Sequence, residues 1–442
     1  MDRRDWLQGM AAAGMAFSAS GWLPNFAEAA GKQAKKKQRH CILLWMTGGP
    51  PQTDTFDMKP GHANGGQFKP IDTKASAIKI SENLPKLAKW TNHVALLRGM
   101  STKEGDHGRG TYLMRTGHQP QGPVRYPAIG ASLSKELGAD SSEIPNFVSI
   151  APYRIFNQAA FSPGFLGPRF APLTVGATDG FNPNQNRDEE DYAELKVDDL
   201  RIGDGVSSKQ FSKRVQIWKR LQRKFLTRFK GETAQAQNTI YEKAIRMMTS
   251  DAVQAFDLSK ESDKVRDAYG RGRFGQGCLM ARRLIERGVP FVEVSLGEVA
   301  NDSIGWDTHQ GNFPAVKTLC EQLDAGWSSL MSDLHKRGLL ERTTIIWMGE
   351  FGRTPKINTN AGRDHFPAAW TSVLAGGGIK GGTVYGKTSK DGTTVEDGKA
   401  SASQLLSTLC QALGVAPESQ NVSELGRPIR IAEADPIKQV LK

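Results

Sequence analysis

Acidic and histidine residues follow two apolar segments in the last third of the chain. Asp307 and His309 come after the apolar segment 289–296, and Glu350 follows the apolar segment 343–348. Short apolar segments are typical of buried strands, and α/β proteins bind ligands beyond the carboxyl ends of their strands. Carboxylates and imidazoles coordinate the metal ions of hydrolytic enzymes. The pattern therefore indicates a metal site of hydrolytic type.

Each of these residues also has a structural explanation. Asp307 and His309 are two positions apart, so an extended loop would direct both side chains to one ion; the alternative is an exposed turn. Glu350 follows an apolar strand, where a carboxylate must be paired or coordinating. An ion pair with Arg353 is the alternative for Glu350. We predict that Glu350 binds metal and that Arg353 binds oxygens of an anionic substrate.

A second pair of candidates lies close behind in the sequence. His365 is predicted to be a metal ligand. Its neighbour Asp364 either coordinates the metal as well or orients an imidazole from behind.

The N-terminal half adds two groups of candidates. Asp54 and Asp57 follow the first apolar segment and are predicted metal ligands, with a turn that caps the strand as the alternative. His107, Arg109 and Thr111 open a predicted helix, and helix N-termini favour anions. We predict that His107 is a ligand or general acid/base, that Arg109 holds an anionic oxygen, and that Thr111 is the nearest hydroxyl nucleophile. Helix capping with surface charge is the alternative for this group.

These residues need a sheet to position them. The predicted strands, which share a short apolar pattern, are 41–46, 94–97, 289–296 and 343–348. The predicted helical segments are 84–90, most of 211–287, and 314–338. This alternation predicts an α/β fold, a three-layer α/β/α sandwich with a mostly parallel central sheet. Residues 160–210, rich in Pro, Gly, Asn and Asp, are expected to form an irregular insertion.

The N-terminus is typical of an export signal. Arg3 and Arg4 precede a small-residue and apolar stretch, and the segment AEA at 27–29 resembles a signal-peptidase site. The predicted divisions are a twin-arginine signal peptide at 1–30, a basic linker at 31–40 and one folded domain at 41–442. We expect a periplasmic or cell-envelope location and no membrane span in the mature chain. An uncleaved helix that anchors the chain is the alternative.

The net charge indicates which classes of partner to expect, and the cysteine spacing indicates the state of the thiols. The formal net charge is +12, which suits an anionic substrate or an anionic envelope polymer such as polysaccharide. The basic stretch 213–230 carries Ile217, Trp218, Leu221 and Phe225 at helical spacing, which predicts a surface helix. No nucleic-acid partner is expected, because a basic run with apolar residues at helical spacing is more typical of one face of a surface helix. The four cysteines show no zinc or redox spacing, so buried thiols are predicted.

Four segments make the chain resemble a bacterial family catalogued as domain of unknown function 1501. They are residues 43–60, 281–294, 305–309 and 349–355. That family is placed with the alkaline phosphatase and sulfatase superfamily. The resemblance therefore implies an alkaline phosphatase-like α/β/α sandwich with two divalent metal ions that hydrolyses phosphate or sulfate esters. Zinc, calcium, magnesium and manganese are not distinguished.

The resemblance also implies a division of the ligands. Asp307, His309 and His365 match the positions that bind the first metal, and Glu350 matches an acid that binds the second. The chain departs from the pattern at Gly48-Gly49, where an acidic ligand is usual, so that Asp54 or Asp57 must substitute.

A second departure concerns the nucleophile. Residues 113–120 resemble the stretch that follows the sulfatase nucleophile, and counting back places His107 at the nucleophile position. The predicted function is an exported, metal-dependent hydrolase of anionic esters, with water attacking directly. A non-catalytic envelope binding protein that retains the fold is the alternative.

Overall fold

Strand β1 (His40–Met46) is an inner strand of the main sheet, and all seven of its residues are buried. The computed structural model describes residues 39–139, 141–176, 192–197, 205–229, 231–297 and 304–442, without the side chains of 232, 233 and 236. Residues 39–442 form one compact unit. The predicted signal peptide, most of the predicted linker and parts of the predicted insertion lie outside the described residues.

The strands that follow β1 are short, and their bounds are β2 (Pro70–Asp72), β3 (Lys79–Ser81), β4 (Val94–Met100), β5 (Phe147–Ile150), β6 (Leu173–Val175), β7 (Phe291–Leu296), β8 (Thr343–Met348), β9 (Gly352–Arg353), β10 (His365–Phe366), β11 (Trp370–Gly376), β12 (Thr383–Tyr385), β13 (Lys387–Thr388), β14 (Val395–Asp397), β15 (Gln420–Val422) and β16 (Pro428–Arg430). The α-helices are α1 (His107–Thr116), α2 (Ile129–Leu137), α3 (Ser208–Arg228), α4 (Glu232–Met248), α5 (Asp263–Tyr269), α6 (Arg273–Glu286), α7 (Asn312–Lys336) and α8 (Ala402–Ala412).

Eight strands make the central sheet in the order β12-β4-β11-β8-β1-β7-β5-β6. β1 runs parallel to both of its neighbours, β7 and β8. β11 is antiparallel to β4 and β8, whereas the other pairs in the sheet are parallel. The mostly parallel sheet predicted from the sequence is therefore confirmed.

Helices cover both faces of this sheet. Ile42 and Leu44 of β1 differ by two positions and pack in one core with α6 and α7. Cys41 and Leu43 point to the opposite face and pack in a second core with α2 and α8. Alternation of side chains along a strand produces this division, and the three-layer α/β/α arrangement is confirmed.

Most of the predicted elements are present with small shifts. The helix predicted at 314–338 is α7, and the strand predicted at 289–296 begins at Phe291. The segment predicted helical at 84–90 is a 3₁₀ helix, Leu87–His93. Within 160–210 the described residues include short 3₁₀ helices and the edge strand β6, which pairs with β5.

Two further predictions concern the state of the cysteines and the presence of membrane-spanning helices. All four cysteines are buried and free, as predicted. None of the helices in the described part of the chain is long and apolar enough to cross a membrane.

Candidate metal centre

Four loops at the carboxyl edge of the sheet bring the predicted site residues together. Asp307 and His309 lie between β7 and α7, and Glu350 lies directly after β8. His107 is the first residue of α1, which follows β4, and His365 begins β10. Parallel strands end at a common edge, so residues far apart in the sequence become neighbours here.

Three imidazoles converge on one carboxylate oxygen. The Nε2 atoms of His107, His309 and His365 lie 3.2, 3.1 and 3.3 Å from Oδ1 of Asp307. The Nε2 atoms of His309 and His365 are 3.0 Å apart. His107, Asp307 and His365 form a group whose candidate ligand atoms all lie within 4.8 Å of one another.

The opposite nitrogen of each imidazole has its own acceptor. Nδ1 of His107 lies 2.7 Å from Oε1 of Glu350, and Nδ1 of His309 lies 2.8 Å from Oδ1 of Asp364. Nδ1 of His365 lies 2.8 Å from the carbonyl oxygen of Gly105. Carboxylates and carbonyls only accept hydrogen bonds, so each Nδ1 must carry the hydrogen. In the neutral rings, every Nε2 therefore directs a lone pair towards Asp307.

This arrangement is suited to a cation. Lone pairs of His309 and His365 that face each other at 3.0 Å, beside the carboxylate of Asp307, repel unless a positive charge lies between them. Donor atoms about 2.0–2.1 Å from a tetrahedral zinc ion would be about 3.3 Å apart. The four donor-to-donor distances in this cluster, 3.0 to 3.3 Å, are close to that value. The residues present therefore fit a metal ion.

The protein alone already stabilises charge at this cluster. Burial lowers the pKa of His107, but hydrogen bonds to Asp307 and Glu350 act against it and raise the pKa to about 9. Burial raises the pKa of Asp307, yet its contacts with His107 and His365 and the charge of Arg353 hold it well below its usual range. In the absence of metal, a proton on His107 supplies part of the missing positive charge.

Glu350 lies behind His107, on the side away from Asp307. It is fully buried, and its Oε1 accepts hydrogen bonds from the backbone N–H of Gly48 at 2.8 Å and from His107. Its Oε2 is buried without a hydrogen-bond partner among the described residues. The structure thus places Glu350 where it orients an imidazole. Asp364, which contacts Nδ1 of His309, is placed in the same way.

Arg353 anchors the Asp307 loop. Its side chain is fully buried and donates to the carbonyl oxygens of Gly48, Gly49 and Arg363 and to Oδ1 of Asp307. Burial lowers its pKa, and Asp307 opposes that effect. A guanidinium with four protein acceptors has little capacity left for substrate. The alternative pairing with Glu350, considered from the sequence, is replaced by one with Asp307.

The structure does not bring Asp54 and Asp57 to the cluster. Asp54 is fully buried, and its two oxygens accept hydrogen bonds from Arg363 at 2.7 and 2.8 Å. Asp57 contacts Lys59 at 3.0 Å and the hydroxyl of Thr388. Both carboxylates are occupied by structural partners.

Two other predicted site residues of α1 are paired or buried within the protein. The guanidinium of Arg109 binds Glu104 at 2.6 and 2.9 Å. Thr111 is only 1% exposed, which leaves its hydroxyl without access to a substrate in solution. The N-cap of α1 is Asp106, whose side chain accepts from the N–H of Arg109.

Sequence reasoning missed two aromatic neighbours of the cluster. The ring of Phe156 stacks on His107 with 4.2 Å between centroids, and Tyr153 packs edge-on against Phe156 at 4.9 Å. Burial first, and the charge of Asp307 second, raise the pKa of Tyr153. Both residues follow β5 in a segment to which the sequence patterns assigned no element or motif.

Several solved structures resemble this fold at low similarity. One is the PsFucS1 sulfatase from Pseudoalteromonas sp., with 13% identity over 88% of this chain and 70% of that chain, and a TM-score of 0.41. Another is the lipoteichoic acid synthase LtaP from Listeria monocytogenes, with 10% identity, coverage of 90% and 75%, and a TM-score of 0.40. A third is an alkaline phosphatase superfamily protein from Vibrio parahaemolyticus, with 13% identity, coverage of 86% and 67%, and a TM-score of 0.33.

The sequence comparisons give one family. No curated protein matches the chain. The family model described as "Protein of unknown function (DUF1501)" matches residues 38–441. This match covers nearly the whole sequence and includes the loops that carry Asp307, Glu350 and His365. The chain therefore belongs to the DUF1501 family.

Proposed function

We propose that this protein is a metal-dependent hydrolase of phosphate or sulfate esters. The observation that carries the proposal is the convergence of three Nε2 atoms on Oδ1 of Asp307, with each Nδ1 held by an acceptor. His107, His309, His365 and Asp307 would hold the ion. When bound, such an ion polarises an ester oxygen and lowers the pKa of bound water.

The donor set favours a transition metal such as zinc. Imidazole suits zinc and its neighbours, whereas calcium and magnesium prefer oxygen ligands. The described residues form one group of three or more candidate ligands. The proposal therefore requires one ion, and a second ion would need ligands in addition to this group.

Each remaining residue has a role that follows from its contacts. The side chain of His309 is 45% exposed and that of His107 is 13% exposed, so substrate would approach from the His309 side. Arg353 holds Asp307 rather than substrate. Tyr153, with its raised pKa, keeps its phenolic proton and could donate a hydrogen bond to an ester oxygen.

The proposal includes export. Arg3, Arg4 and the segment 27–29 support a twin-arginine signal and a periplasmic or envelope location. Since this route carries folded proteins, the domain would acquire its metal before it crosses the membrane. An anionic ester on an envelope polymer, including polysaccharide, would suit the net charge of +12.

Metal content and ester hydrolysis test the proposal together. We expect the purified wild-type chain to contain about one equivalent of metal and to hydrolyse members of a phosphate and sulfate ester panel. His309→Ala should lose both properties. Glu350→Gln, which removes the charge behind His107, should weaken metal binding about 10- to 100-fold. His335→Ala is the matched control, because His335 is exposed at the end of α7.

The outcomes separate the alternatives. A folded wild-type protein without metal after expression in metal-replete medium would contradict the metal centre. Metal binding that depends on His309, together with inactivity on every ester, would support the non-catalytic binding protein instead.

A further inference from the structure

Helix α3 lies on the surface and leaves apolar side chains uncovered. It spans 21 residues, none of them buried. Ile217, Leu221 and Phe225 are 61%, 62% and 43% exposed, and Phe229, which follows the helix, is 54% exposed. These four residues, here named the α3 stripe, are spaced four apart and so form one continuous row along the helix. Phe225 and Phe229 extend the row with ring centroids 4.6 Å apart.

The α3 stripe lies beside the face by which α3 packs, and its side chains remain exposed. Phe211, Val215, Trp218 and Leu226 are half-buried on a neighbouring face of the helix. On that face Trp218 contacts Tyr241 of α4, with 5.7 Å between ring centroids. The packing needs of α3 are therefore met without the stripe. An exposed row of large apolar side chains is a mark of an interaction surface.

Charge borders the stripe on its other side. Between 208 and 228 the chain has eight cationic residues and no Asp or Glu; they are Lys209, Lys213, Arg214, Lys219, Arg220, Arg223, Lys224 and Arg228. At 100° per residue, Lys213, Arg220 and Lys224 fall within about 60° of Ile217 on the side away from Trp218. Around the helix, a packing face is thus followed by an apolar row and then by a cationic face.

We propose that the α3 stripe and its cationic border bind the surface of an anionic phospholipid bilayer. A helix in the plane of a membrane buries its apolar face at the level of the acyl chains, while Lys and Arg reach the headgroups. Anionic lipids attract each cationic side chain near the surface. A bilayer of this kind would contact both the apolar α3 stripe and the cationic residues beside it.

Other occupants use only part of the surface. Nucleic acid or an acidic polysaccharide would satisfy the cations but leave the α3 stripe in water. A second copy would bring two helices with eight cationic residues each face to face, which is repulsive. The bilayer is therefore the partner favoured by charge and apolarity together.

Vesicle co-sedimentation with the full domain, residues 31–442, tests this proposal. We expect binding to vesicles that contain phosphatidylglycerol, weaker binding as salt rises, and little binding to phosphatidylcholine alone. The triple variant Ile217→Ser/Leu221→Ser/Phe225→Ser should bind at least ~10-fold more weakly. The double variant Lys213→Glu/Lys224→Glu should lose a similar amount.

The matched control is Val422→Ser/Leu425→Ser. These two apolar residues are 67% and 52% exposed but lie near the β15–β16 hairpin, so their replacement should leave binding unchanged. Circular dichroism of each variant checks folding.

Three results would overturn the proposal. The first is absence of binding to vesicles of either composition. The second is unchanged vesicle binding by the triple serine variant while the charge reversal abolishes it, which would indicate a purely anionic polymer site. The third is a wild-type dimer that the triple variant converts to a monomer in analytical ultracentrifugation, which would assign the stripe to a second copy.

Discussion

His107 lies between two carboxylates, and this position decides how the cluster behaves without metal. Its Nδ1 is 2.7 Å from Glu350 and its Nε2 is 3.2 Å from Asp307. A proton bound to His107 therefore occupies the same electrostatic position as a metal ion. A proton and the proposed metal ion would compete for one cluster, and the pH dependence of the protein would report that competition.

The raised pKa of His107 predicts a pH-dependent stability of the metal-free protein. The pKa rises from 6.5 to about 9 on folding. Because the pKa is raised in the folded state, protonation of His107 adds to the free energy of unfolding. This contribution is complete below pH 6.5 and is lost as pH rises through about 9. We expect the free energy of unfolding of wild type, measured with urea in chelator, to fall from pH 6.5 to pH 9.5 relative to His107→Gln. A constant difference between the two proteins would contradict the assignment.

Metal affinity should change with pH in the opposite direction. Because the ion displaces the proton from His107, affinity should rise with pH by up to ~10-fold per unit below pH 9. Competition with a chromophoric chelator measures this slope.

At the scale of elements, the turn after β1 is built around a glycine. Gly48 has φ of 102°, a value that L side chains rarely adopt. A Cβ at Gly48 would lie 2.4 Å from the backbone nitrogen of Asp307. Its own N–H donates to Glu350. The Gly48-Gly49 pair, where the resemblance led us to expect an acid, instead allows the Asp307 loop and Glu350 to approach β1.

Substitution of Gly48 should therefore affect both stability and metal binding. Gly61 has φ of 77°, and a Cβ at that position would meet nothing within 4 Å, so Gly61→Ala should cost only the backbone strain of about 1–2 kcal/mol. Gly48→Ala should cost more and should also lower metal affinity, because it displaces Asp307. Urea unfolding and chelator competition on both variants test this. Equal effects of the two substitutions would show that the close approach is unimportant.

The sequence predicted which strands and loops would lie side by side. It did not predict which of their side chains are candidate metal ligands and which only hydrogen-bond to those ligands. The strands before Asp307 and Glu350 were evident from apolar runs, and the shared edge followed from parallel pairing. From the sequence, a carboxylate that faces the cluster could not be distinguished from one that hydrogen-bonds to an imidazole, because Glu350 and Asp364 carry the same functional group as Asp307. Nor could Asp54 be assigned, since Arg363, which binds both of its oxygens, lies most of the chain away.

At the scale of the whole molecule, the proposed metal centre and the α3 stripe both belong to the compact unit formed by residues 39–442. The proposed export signal precedes that domain and lies outside the described residues. Burial raises the pKa of all four cysteine thiols, which keeps them protonated and unreactive. The folded domain therefore does not depend on a disulfide bond.

Replacement of the twin arginines should stop export. In Arg3→Lys/Arg4→Lys we expect the protein to accumulate in the cytoplasm with its signal intact, since the route requires the arginine pair. Fractionation and immunoblotting measure the distribution. Lys35→Gln/Lys36→Gln, which alters the basic linker alone, is the control. Normal export of the arginine variant would contradict the signal assignment.

The central position of β1 also sets the order in which the chain can fold. Cys41 pairs with Phe291 and His40 with Thr343, so both neighbours of the first strand come from more than half the chain later in sequence. During synthesis, β1 must wait until β7 and β8 have left the ribosome. Long-range parallel pairing of this kind slows folding and leaves an apolar strand open to aggregation in the interval. β1 thus stays unpaired for most of translation, and a chaperone that holds the segment 41–46 would have that interval in which to act.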